Sequence, residues 1–92
     1  MTIDQIVTLR VMLDGMEQDL GLDKLSAPEK NVYLAAQATK TKDGIVQTRD
    51  ILEHQLTQGM SRPTFFRCLK SIQTQGMLTH SDRKKKGEFK VL

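Results

Sequence analysis

Residues 60–78 constrain the fold more than any other stretch, because they carry a start signal, an amphipathic face and a stop signal for one helix, followed at once by a candidate strand. Ser61 is an N-cap residue whose hydroxyl can accept from an orphan amide of the first turn, Pro63 is tolerated that early, and Gly76 supplies a left-handed stop. The spacing predicts a helix over residues 62–75. At 100° per residue, Phe65, Cys68, Leu69 and Ile72 fall on one side, while Pro63, Arg67, Lys70 and Thr74 fall opposite and Thr64 and Ser71 flank them. One face packs; the other is cationic and hydroxylic. No carboxylate lies between Arg62 and Gln75, an arrangement unusual on a neutral surface and natural beside a polyphosphate.

Upstream of this helix the pattern is also helical. Ile6, Leu9, Leu13, Met16 and Leu20 recur at alternating three- and four-residue steps, with Ile3, Val7 and Met12 broadening the stripe, which predicts a long amphipathic helix over residues 2–20. Residues 21–24 read as a short connector. Ser26-Ala27-Pro28-Glu29 is a capping box opening a second helix over residues 27–39, with Val32, Tyr33, Ala35 and Ala36 as its packing positions. A polar loop ending in Gly44 leads to Ile45-Val46-Gln47, which suits a very short strand. Thr48 is expected to cap a helix over residues 49–57 with Ile51, Leu52 and Leu56 inward, and Gln58-Gly59-Met60 makes the turn into the helix that opens at Ser61.

Beyond Gly76, residues 77–81 and 88–92 can pair as antiparallel strands about the turn Asp82-Arg83-Lys84-Lys85-Lys86-Gly87. Phe89 and Val91 alternate with Glu88 and Lys90, so one face of the hairpin is expected to close the core and the other to stay wet. The predicted fold class is mainly α with a small β-hairpin, in the order of a winged helix-turn-helix with one extra helix in front. Residues 1–24 form the leading amphipathic helix and residues 25–92 the winged domain. A chain of 92 residues supports one modest core and no second one.

Charge is unevenly placed. Residues 1–46 carry five Lys/Arg against seven Asp/Glu, a net of −2, and residues 47–92 carry nine against four, a net of +5. The basic half holds the cationic helix, as expected for binding nucleic acid. Cys68 is the sole cysteine and lies on the packing face, so the sequence offers neither a disulfide framework nor a thiolate metal cluster. The apolar runs are short and broken by charge, and the N-terminus lacks the features of a signal peptide, so a cytoplasmic protein without membrane contact is expected.

Three groups of residues are candidate sites. Arg67 and Lys70, one turn apart, can meet base edges or phosphates, with Ser61, Arg62, Thr64, Phe66, Ser71 and Thr74 around them. Arg83, Lys84, Lys85 and Lys86 at the hairpin tip can lie along a phosphate backbone or enter a minor groove, and Thr48 and Arg49 can sit near a phosphate at a helix start. The stripe Ile6, Leu9, Leu13, Met16 and Leu20 either covers the core of its own domain or forms a seam with a second copy. Asp50, Glu53 and His54 share helical spacing, but no second histidine stands at ligand distance, so they read as a wet helix face. His80 reads as a strand-pairing residue. No metal, cofactor or catalytic motif is expected, and the chain is not expected to be an enzyme.

The ordered set Ser61, Thr64, Arg67, Leu69, Ile72, Gly76 and Leu78 resembles the recognition helix and first wing strand of winged helix-turn-helix regulators, the MarR-like ones in particular, over residues 25–92. The resemblance implies a transcriptional regulator that binds duplex DNA as a homodimer on a pseudo-palindrome, reading the major groove with helix 62–75 and the backbone or minor groove with wing 82–87. Phe66 departs from the pattern: its ring can touch a thymine methyl group or pack under the wing. The alternative is a winged helix used for protein interaction in a replication or partition complex of a phage or plasmid, with Phe66 as an interface anchor.

Overall fold

Each long helix starts where a side chain can satisfy its first amides. The computed structural model describes residues 1–81 and 86–92. Helix α1 (Ile3–Asp19) opens with a capping box in which Thr2 N donates to Gln5 Oε1 at 2.8 Å and Gln5 N donates to Thr2 Oγ1 at 3.2 Å. Helix α2 (Ala27–Thr39) repeats the device with Ser26 and Glu29 at 2.9 and 3.3 Å. The connector expected at residues 21–24 contains a 3-10 turn, Leu22–Lys24, whose Leu22 is buried with Leu25 in the core.

Strand β1 (Ile45–Gln47) runs directly into α3 (Thr48–Glu53). This helix is shorter than its apolar spacing suggests. His54 turns extended and its Nδ1 accepts from Leu56 N at 3.1 Å, which starts a 3-10 turn at Gln55–Thr57 instead of a further α-helical turn. Thr57 is buried, with its hydroxyl directed at the carbonyls of Ile51 (2.5 Å), His54 (3.0 Å) and Leu52 (3.2 Å). It closes the end of α3, and Leu56, expected inward, is left exposed. Thr48 is not the cap of this helix. It is the first helical residue, and both its amide (2.8 Å) and its hydroxyl (3.1 Å) donate to Gly87 O.

Helix α4 (Arg62–Thr74) has Ser61 as its N-cap, the hydroxyl accepting from Thr64 N at 3.3 Å. It ends in a Schellman arrangement: Met77 N donates to Ile72 O and Gly76 N to Gln73 O, both at 3.0 Å, with Gly76 at φ 82°. Strands β2 (Leu78–His80) and β3 (Glu88–Val91) form the expected antiparallel hairpin. The sheet, however, has three strands in the order β1-β3-β2, all antiparallel, with Val46 and His80 both opposite Phe89. The hairpin holds a second departure. Glu88, expected on a wet face, is buried, although Gln47 opposite it is exposed.

One core joins these elements. Val32, Ala35 and Ala36 of α2, Ile51 of α3, Phe65, Cys68, Leu69 and Ile72 of α4, and Val46, Leu78 and Phe89 of the sheet are all buried in it. Tyr33 and Leu52 pack at its edge. Helix α1 contributes no buried residue, and its Glu17 pairs with Lys30 of α2 at 2.9 Å. Among the described residues no helix is long and apolar enough to cross a membrane.

Thr57 should be the polar side chain on which the α3 end depends. Thr57→Val, which keeps the shape and removes the buried hydroxyl hydrogen bond to the α3 end, is expected to cost about 1–3 kcal/mol in chemical denaturation, and Thr57→Ser to restore most of it.

Candidate nucleic-acid interface

The core residues of α4 decide what remains outside. With Phe65, Cys68, Leu69 and Ile72 buried, Arg62, Pro63, Phe66, Arg67, Lys70 and Thr74 are exposed. At the start of the helix the Ser61 hydroxyl donates to Thr64 Oγ1 at 2.9 Å and Arg67 Nη2 to the same oxygen at 3.4 Å. The half-buried Thr64 therefore holds the guanidinium over the first turn. Thr74 spends its hydroxyl on Lys70 O at 3.0 Å, within its own helix. Arg62, Phe66 and Lys70 succeed one another at four-residue steps and form a ridge beside Arg67.

The other flank of α4 is closed by a group that its own sequence does not contain. Ser71, expected on the DNA-facing side, donates a short hydrogen bond to Glu29 Oε2, and Gln75 Nε2 reaches both Glu29 Oε2 (3.1 Å) and Ser71 Oγ (3.2 Å). The Ser71 hydroxyl, then Ser26, and also Gln75 stabilise the carboxylate against a small desolvation cost and hold Glu29 at about 2, below the ordinary 4.5. Nearby Cys68 is buried and its thiol is pushed up, chiefly by burial and further by Glu29. Ser26, Pro28, Glu29, Thr64, Arg67, Cys68 and Ser71 line a recess of about 380 Å³. Within the sequence, Glu29 was legible only as a capping-box residue, since its tie to α4 spans more than forty positions.

The contact of Thr48 with Gly87 brings their exposed neighbours Arg49 and Lys86 to the same end of the sheet. Arg83, Lys84 and Lys85 lie outside the described residues. The stripe on α1 is open, from Leu9 at 45 % exposure to Leu20 at 73 %, with Ile6, Leu13 and Met16 between. It does not cover the core of its own domain. His54 is committed to the turn after α3, His80 stacks on Phe89 with ring centroids 5.4 Å apart, and among the described residues no group of three or more His, Cys, Asp or Glu is placed to hold a metal ion. Comparison of the chain with protein-family models, with curated proteins and with solved structures finds no match.

The Glu29 network has a pH signature. Its carboxyl binds a proton less readily in the folded chain than in the unfolded one, so the stability it contributes is complete above about pH 4.5 and is lost as pH falls toward about 2. Glu29→Gln, which retains the capping shape without the charge, is expected to be less stable than the unaltered chain at neutral pH, with the difference shrinking through that acid window. Equal pH profiles in urea denaturation would show that the carboxylate does not carry it.

Proposed function

We propose that this chain is a winged-helix protein that binds duplex DNA, most simply a cytoplasmic transcriptional regulator of the MarR-like kind, acting by binding and without catalysis of its own. The observation that carries the reading is the outer face of α4. Arg62, Arg67 and Lys70 stand exposed there with no carboxylate from the helix itself, on an element held rigidly by its opposite face. Helix α3, the turn at residues 58–60 and α4 make the helix-turn-helix, and the β2–β3 hairpin makes the wing. In this reading α4 enters the major groove, Arg67 meets a guanine edge, and Arg49, Lys86 and the rest of the 82–87 turn lie against phosphate.

The proposed assembly is a homodimer through α1. A helix of seventeen residues with no buried side chain is marginal alone, and its apolar residues at heptad spacing fit a second copy of themselves. A two-fold dimer also suits DNA, since paired reading helices reach half-sites roughly 34 Å apart.

If about five phosphates are neutralised, log K for duplex binding should fall against log salt with a slope of about −4 to −5. Arg67→Ala is expected to cost about 1–3 kcal/mol on a selected site and to relax preference there, whereas Lys86→Ala should weaken all sequences alike. A response flat in salt would point instead to a protein partner of a replication or partition complex.

Light scattering should find a dimer, and a Leu9→Lys/Leu13→Lys double variant should be a folded monomer that keeps weak non-specific DNA binding and loses tight specific binding. A monomeric unaltered chain at high concentration would sink the assembly.

A further inference from the structure

Helix α4 leaves one large apolar side chain in solvent, Phe66, at 47 % exposure, while its neighbour Phe65 is fully buried. The two rings stand edge to face, with centroids 5.2 Å apart at 82°. Contact with a core ring restricts where the Phe66 ring sits, and about half of the residue stays open to solvent. Along the same ridge Arg62 precedes it by four residues and Lys70 follows by four, both exposed. The helix thus presents an apolar plate between two cations, on the side of α4 away from the Glu29 network.

A face that met only phosphate would gain nothing from such a ring. The floor of the major groove offers hydrogen-bond donors, acceptors and a single apolar group, the 5-methyl of thymine. We propose that Phe66 is a base-reading residue that packs its ring on the 5-methyl group of a thymine, with Arg62 and Lys70 meeting polar groups on either side. The inference rests on the DNA-binding reading of α4 and adds the base class that the helix selects. Cytosine methylated at C5 offers the same methyl in the same place, so it should substitute for thymine at the contact itself.

The test uses the full chain to select bound duplexes from two random pools, one normal and one with every thymine replaced by deoxyuridine, a change that removes only the methyl group. At one position of the selected site, a single thymine-to-deoxyuridine exchange should weaken binding by the unaltered chain about four-fold. Phe66→Ala should bind both duplexes equally, at the weaker level, and Phe66→Leu should keep part of the discrimination. Specific binding that no such exchange weakens would overturn the methyl role and leave DNA binding standing. Retention of neither pool would overturn the DNA-binding reading and this inference with it.

Discussion

The packing of α4 on α2 is the constraint from which the rest of the arrangement follows. Ala35 and Ala36 of α2 are fully buried and small, as are Phe65 and Ile72 of α4 fully buried and large, and all four belong to one core. Small residues facing large ones let two helices come close without voids. Once α4 is seated on that face, helical geometry leaves no freedom in what points outward: Arg62, Phe66, Arg67 and Lys70 are exposed because Phe65, Cys68, Leu69 and Ile72 are not. The candidate interface is therefore a by-product of the core, and its rigidity is that of the core.

Hydrogen bonds between distant segments then set the orientation of the parts. Glu29 caps its own helix and at the same time anchors Ser71 and Gln75 of α4. Thr48 ties the start of α3 to Gly87 in the hairpin turn, and Thr57 seals the end of α3. These contacts are directional, where apolar packing is not, so they fix angles that burial alone leaves free. They also divide the surface of α4. The flank toward α2 is occupied by an ionised carboxylate, which repels phosphate, so the side proposed to meet DNA is the ridge of Arg62, Phe66 and Lys70 together with Arg67 beside it.

Helix α1 stands apart from this economy. Its capping box is as complete as that of α2, yet none of its side chains reaches the core. Local signals can start a helix, but at this length they do not hold it firmly in water, and a row of exposed Ile, Leu and Met favours any arrangement that covers it. The proposed second copy would supply that cover.

What the sequence by itself determined is what acts within one or two turns of chain. Ser26 with Glu29, Ser61 with Pro63, and Gly76 with its positive φ marked helix limits that agree with α2 and α4 to within a residue, and the period of Phe65, Cys68, Leu69 and Ile72 marked the buried face. Tertiary structure decided what depends on segments meeting. The third strand needs β1 to find β3 across some forty residues, and in the folded chain Glu88 is buried where alternation expects a wet position. Helix α3 stops at Glu53 because His54 and Thr57 offer its backbone other partners, an outcome that the spacing of Ile51, Leu52 and Leu56 does not encode. Ser71 looked like a base-facing hydroxyl until Glu29 was brought beside it. The physical reason is common to all of these: a cap or a helical face is settled among neighbours in the chain, whereas the partner of a polar side chain is settled by which surfaces the core brings together.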